Sequence, residues 1–361
     1  MTTSDSAPST AFYEQRHLPV PDRELWPSST DQLCQMISEL DDTGTDWRIL
    51  GDGQHTRRRS TADTTAPSTV IRTEHLDDVL ELDTESRLIH VEAGMRWRQL
   101  DDLLADEGLS LQRYGLHPPS ATIGGMLARH RPGPTALRAG ALLDGCVSIG
   151  GFDADRGDYR YLVAPRKASG PDLRYEFIGA GDAGGAILDA TLVVWRPVAE
   201  RLLRYDECAP GQATDTYAAM FEAGITPTWI HYSWKRRTLQ FALAAPGQLL
   251  RARILWLIDR IGNPDQRGDA DDVRTRRRWL EARHPDRRSD PKADRTRVVW
   301  VAPSALDDDP SSVFGDGVEE VEIPRWTPRR LEAYVRYEDG ADTDAIATDD
   351  DAVWATSPVV A

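Results

Sequence analysis

Lysine is nearly missing from this chain: Lys167, Lys235 and Lys292 are the only ones among 43 basic residues, and the rest are arginine. Against them stand 59 Asp and Glu, leaving a formal charge of -16. A polyanion would be repelled by that surface, which excludes nucleic acid as a partner. The arginine runs at residues 57–59 and 276–278 lie in acidic surroundings and read as solvated faces. Cysteine is scarce too. Cys34, Cys146 and Cys208 form no CxxC pair, which excludes a disulfide framework and the usual zinc or iron–sulfur spacings. An odd count of that kind suits a reducing compartment. No apolar run approaches the roughly 18 residues of a membrane span, and no signal-peptide pattern opens the chain. The expectation is a cytoplasmic protein without direct membrane insertion. No Walker loop, Ser/His/Asp set or metal-ligand cluster is visible, so no metal is expected.

The length of 361 residues, 40% of them hydrophobic, is enough for two buried cores. Residues 1–27 are rich in Ser, Thr and Pro, lack periodicity, and read as a disordered tail. Ser29-Thr30-Asp31-Gln32 has the form of a capping box, and Leu33, Met36, Ile37 and Leu40 follow on one helical face. Short extended runs at residues 47–50, 69–72, 77–82 and 88–92 read as strands. A helix carrying Trp97, Leu100, Leu103 and Leu104 ends at Gly108. The repeated strand, turn and helix indicate mixed α and β structure rather than a bundle.

Two glycine-rich turns follow extended runs. The first is Gly51, Asp52, Gly53, Gln54, His55 and Thr56; the second, reached through Pro119, is Ala121, Thr122, Ile123, Gly124 and Gly125. Glycine leaves backbone N–H groups free to converge on an anion, and amides at the start of a following helix add to that field. Gln54, His55 and Thr56 offer side-chain donors. Asp52 is the exception, since an ionised carboxylate beside a phosphate is repulsive unless it is turned aside. Gly133-Pro134 punctuates the next loop, and a glycine-rich turn at residues 181–185 leads through Ile187 into a strand.

These turns, in this order, resemble the FAD-binding domain of the vanillyl-alcohol-oxidase and p-cresol-methylhydroxylase superfamily. By layout the chain is most similar to the FAD-binding subunit of bacterial glycolate oxidase. The first turn matches that family's glycine turn ending in Ser or Thr. Ala121 to Gly125 matches its Ala-Thr-Ile/Leu-Gly-Gly without change, and Gly133-Pro134 follows at the family's distance. Lys167-Ala168-Ser169-Gly170-Pro171-Asp172-Leu173 is similar to its Lys-x-x-Gly-Tyr-Asp-Leu, with Pro171 in place of the aromatic residue. The family's terminal Asn-Pro-Gly-Arg is absent.

The resemblance implies an α+β fold: a two-subdomain p-cresol-methylhydroxylase-type FAD-binding domain at residues 28–198, then a ferredoxin-like α/β cap at 199–306. An acidic, partly disordered segment fills 307–361. It implies FAD as cofactor, held non-covalently. His55 falls one residue later than the histidine through which some relatives attach FAD. It implies a small 2-hydroxy-acid substrate such as glycolate or D-lactate, and a partner flavoprotein and iron–sulfur subunit to take the electrons. His231 and Tyr232, on the strand TWIHYSW, are the candidate catalytic side chains, on opposite faces by alternation. The other reading is a flavin-free or redox-silent scaffold that assembles a flavoprotein complex, motivated by Asp52, Pro171 and the missing terminal motif.

Overall fold

The computed structural model describes residues 4–6, 8–16, 18–53, 67–113, 119–130, 133, 135–153, 157–161, 172–181, 185–282, 296–301, 313, 318–326, 331–337 and 353–355. The chain divides into two compact units, one of Met1–Pro132 with Gly140–Pro197, the other of Gly133–Ala139 with Val198–Ala361.

The first unit opens with β1 (Ser4–Ser6), α1 (Thr10–Gln15) and β2 (Arg23–Trp26), then α2 (Thr30–Asp42), β3 (Trp47–Leu50) and β4 (Thr69–Arg72). Their sheet has the order β1-β2-β4-β3, with β2 and β3 both parallel to β4 and β1 antiparallel at the edge. This corrects the reading of residues 1–27 as a disordered tail. Tyr13 and Leu18 bury against Leu50 and Val70, and Leu25 joins the core under α2. Helix α2 begins as its sequence dictates: Ser29 Oγ accepts from Gln32 N at 3.2 Å. The return bond lands one residue early, with Ser28 N donating to Gln32 Oε1 at 2.7 Å. The apolar face of Leu33, Met36, Ile37 and Leu40 is buried in full, each side chain contributing about 1.5–3 kcal/mol.

The second layer of this unit follows with β5 (Val79–Asp83), β6 (Leu88–Glu92), α3 (Trp97–Asp106) and α4 (Ile123–Arg129). Short α5 (Ala136–Ala139) belongs to the other unit. After α6 (Leu142–Gly145), β7 (Cys146–Asp153), β8 (Gly157–Tyr161) and β9 (Ala186–Val193) complete an antiparallel sheet of order β5-β6-β9-β7-β8. Gly108, at φ +66, closes α3 in the left-handed conformation that a side chain resists. Trp97, Leu100 and Leu104 of α3 pack with Ile123 and Leu127 of α4 onto Ile89, Val91, Ala190 and Leu192 of the sheet. Phe152, Ala186 and Leu188 carry the opposite side into the α2 core, so one continuous interior joins both sheets.

The second unit runs β10 (Glu200–Tyr205), α7 (Pro210–Glu222), β11 (Trp229–Ser233), β12 (Thr238–Ala244), α8 (Gly247–Ile261), β13 (Gln266–Gly268), α9 (Ala270–Ala282), β14 (Thr296–Val301), β15 (Val318–Trp326), β16 (Leu331–Tyr337) and β17 (Val353–Ala355). Its sheet has the order β13-β10-β12-β11-β15-β16-β14-β17, antiparallel at every pairing. The expected division at residue 306 is therefore corrected. Strands β15 and β16 sit in the middle of the same sheet, and Val321, Ile323 and Val335 share its core with Tyr232 and Phe241.

Candidate functional site

Strand β3 delivers the chain to Gly51, and the N-cap of α4 delivers Thr122 to the same place. A Cβ built on Gly51 would overlap Thr122 Oγ1 and stand 2.7 Å from its Cγ2. The two glycine turns, 70 residues apart in the chain, are thus brought together in the first unit. Only a residue without a side chain allows this approach, and Gly51 needs no positive φ to explain it. Gly53 is different: its φ is +69, and an added Cβ would meet Arg16 Cδ and Leu18 Cδ1 at 3.2 Å.

The second turn is tied to the segment between β6 and α3. Trp97 N donates to Ala121 O at 3.0 Å, Ile123 N to Met95 O at 2.8 Å, and Gly124 N to Ala93 O at 2.8 Å. Thr122 Oγ1 accepts from Gly125 N at 3.2 Å and caps α4. The expectation that the amides at this helix start face an anion is corrected at three positions. Ile123, Gly124 and Gly125 each have one amide hydrogen, and each already has a protein acceptor. Gly124 is a packing glycine, since its Cβ would come 2.9 Å from Ala93 Cβ. Gly125 is exposed, and an added Cβ would meet only Thr122 Oγ1, at 3.1 Å. Gly51 is a close-approach glycine against Thr122, and Gly125 is the open position of this junction.

Asp52 is buried at 6% exposure and is held by Arg16, with Nη2 2.9 Å from Oδ1 and Nε donating to the Asp52 carbonyl at 2.5 Å. The Arg16 guanidinium lies 3.9 Å over the Phe12 ring. Behind it, buried Arg72 pairs with Glu24 at 2.9 Å and with Glu74, and Tyr13 Oη donates to Glu24 at 2.6 Å. Burial, more than the neighbouring Glu24, raises the Tyr13 hydroxyl well above its usual range. Arg16 is the residue that sequence reasoning missed. It lies 36 positions before its partner, and no local pattern marks it.

The remaining expected residues scatter. Pro119 is half-buried and Ala121 is core. Ile187 is core as well, opposite Gly151 in the β9–β7 pairing. Gly133 is buried in the second unit. Gln54, His55, Thr56 and Pro134 lie outside the described residues. Tyr232 faces the core beneath α7 and α8, and its hydroxyl donates to Cys208 O at 3.0 Å. Burial raises that hydroxyl far above its usual range, and Tyr232 packs in the core of the second unit. His231 is buried on the opposite face, paired across the sheet with Gln240. Among the described residues no three His, Cys, Asp or Glu side chains gather as a metal site, and no helix is long and apolar enough to cross a membrane.

The junction fits a dinucleotide cofactor: two glycine turns meet, and the one repulsive carboxylate is engaged elsewhere. Comparison with known proteins agrees. Residues 21–158 match the family described as the FAD binding domain. A mitochondrial D-lactate dehydrogenase (cytochrome) of Saccharomyces cerevisiae is 27% identical over 50% of this chain and 31% of its own length. A D-lactate dehydrogenase of Archaeoglobus fulgidus is 27% identical over 46% of this chain and 37% of its own. An FAD-linked oxidoreductase of Escherichia coli (strain K12) is 26% identical over 38% and 28%. The matched stretch thus spans about a third of these relatives. Among solved structures, alkyldihydroxyacetonephosphate synthase superposes with a TM-score of 0.70 over 89% of this chain and 68% of the other, at 13% identity, which is a likeness of fold alone. Residues 21–158 are thus similar to an FAD binding domain, and the cofactor is FAD.

Proposed function

We propose that this FAD-binding chain is an oxidoreductase, or the flavin subunit of one, that acts on a small 2-hydroxy acid such as D-lactate or glycolate. The approach of Gly51 to Thr122 carries the reading, because it builds one cradle from two turns that are distant in sequence. The D-lactate dehydrogenases similar to the chain support the substrate class. Bound FAD supplies the two-electron acceptor. The chain's own part is binding and placement. Gly125 leaves room for the pyrophosphate, Gly51 lets the first turn lie against Thr122, which fixes the distance between the turns, and Arg16 neutralises Asp52. Retention is non-covalent in this reading.

The second unit is the ferredoxin-like cap of this reading. Its support is the run β10-α7-β11-β12-α8-β13, whose strands stand in the order β13-β10-β12-β11, the interleaving expected of a split βαβ pair. His231 is the candidate base, buried on the face opposite Tyr232 and paired across the sheet with Gln240. Electrons leave through a partner flavoprotein and iron–sulfur subunit, and the protein works in the cytoplasm.

The test is anaerobic mixing of the FAD-loaded chain with D- and L-lactate, glycolate and longer 2-hydroxy acids, read as loss of visible flavin absorbance. Bleaching by one member of the panel supports the proposal. Flavin that dithionite reduces but no 2-hydroxy acid bleaches contradicts it, and the redox-silent scaffold then replaces it.

A further inference from the structure

We propose that Arg16 is a positioning residue for FAD: it locks the Asp52 carboxylate out of the pyrophosphate site, and the segment bearing it is a strap on which FAD uptake depends. The inference rests on the reading of Gly51 and its neighbours as the pyrophosphate turn. Four observations converge on the strap. Arg16 grips Asp52 twice, through its carboxylate at 2.9 Å and its carbonyl at 2.5 Å. Its guanidinium is itself fixed over Phe12 at 3.9 Å. The turn folds back on the same side chains, for a Cβ at Gly53 would meet Arg16 Cδ at 3.2 Å and Phe12 Cζ at 3.4 Å. The base of the strap is anchored, with Tyr13 and Leu18 buried against Leu50 of β3.

The charges give the reason. The Asp52 carboxylate stands in a turn assigned to a pyrophosphate that carries two negative charges. Paired with Arg16 it is neutral to that ligand. Released, it adds a like charge in the same turn, in surroundings less screened than water. The guanidinium is suited to the task, because it stays charged at any working pH and its planar fork engages carboxylate and carbonyl together.

The experiment is a double-mutant cycle on the full chain: Arg16→Ala, Asp52→Asn and both together, each stripped of flavin and titrated with FAD by fluorescence. Thermal midpoints of the apo forms are recorded alongside. Arg16→Ala is expected to weaken FAD binding about tenfold or more, from the unmasked like charge. Asp52→Asn alone is expected to stay within about threefold of wild type, and the double variant to recover most of the loss. A double variant as weak as Arg16→Ala overturns the electrostatic lock, because loss of packing alone is not rescued at Asp52. Should Arg16→Ala fail to fold, Arg16→Gln, which retains a donor for the Asp52 carbonyl, enters the same cycle. Gly125→Val separates this inference from the reading beneath it. If that variant loses FAD while Arg16→Ala binds normally, the lock is wrong and the pyrophosphate turns stand. If both bind FAD as wild type does, the assignment of the turns fails with it.

Discussion

Gly51 rests against Thr122 so closely that a Cβ on the glycine would overlap the threonine hydroxyl. Thr122 cannot retreat, because the same Oγ1 caps α4 through Gly125 N at 3.2 Å. Gly51→Val is therefore expected to destabilise the first unit by about 1–3 kcal/mol, the usual penalty for overpacking, and to lose FAD. Urea denaturation of the apo protein checks the first effect, and flavin content after gel filtration the second. Gly124→Ala, which presses on Ala93 instead, is expected to lower stability with FAD affinity per folded molecule preserved.

The network behind Asp52 is a stability device. Arg72 and Glu24 are both almost fully buried, at 3% and 2% side-chain exposure. Arg72 keeps Glu74 when Glu24 is removed, so Glu24→Ala loses one charged pair and the Tyr13 acceptor and is expected to cost about 2–3 kcal/mol. Tyr13→Phe deletes only the neutral donor to Glu24 and is expected to cost about 1 kcal/mol. Chemical denaturation of the two variants side by side should preserve that ranking.

Cys34 offers a pH signature. Partial burial first, and then the Asp158 carboxylate 3.7 Å from its sulfur, push the thiol up to about 12. The reactive thiolate is therefore scarce at neutral pH. Alkylation of the native protein by iodoacetamide is expected to be much slower than in urea and to accelerate steadily as pH rises toward that value. Asp158→Asn is expected to speed it at fixed pH. Mass spectrometry of timed samples reads the rate.

Local chemistry made part of this molecule legible. The Ser29 cap, the Leu33–Met36–Ile37–Leu40 stripe and the Gly108 stop are contained within a turn or two of chain, and the helices form where those signals stand. The glycine turns were visible for the same reason. What escaped depends on distant partners. The first 27 residues carry no period because β2 is defined by parallel pairing to β4, far along the chain, and Tyr13 and Leu18 bury singly against Leu50. β15 and β16 hide in acidic sequence because only their pairing with β11 and β14 brings them into the sheet. Within the site, the chain alone shows five residues of Ala-Thr-Ile-Gly-Gly as equals. Their hydrogen bonds divide them into a cap at Thr122, a packing glycine at Gly124 and an open position at Gly125. Asp52 looked like an obstacle to phosphate because Arg16 had no mark of its own.

The junction of the two glycine turns is the proposed seat of FAD. Gly125→Val probes it with least disturbance, since the position is exposed and an added Cβ meets only Thr122 Oγ1. The decisive measurement is an FAD titration of purified Gly125→Val beside wild type, with apo thermal midpoints to establish that both are folded. An unchanged fold is expected, with FAD affinity reduced beyond detection or by orders of magnitude. A folded Gly125→Val that takes up FAD as wild type does would contradict it.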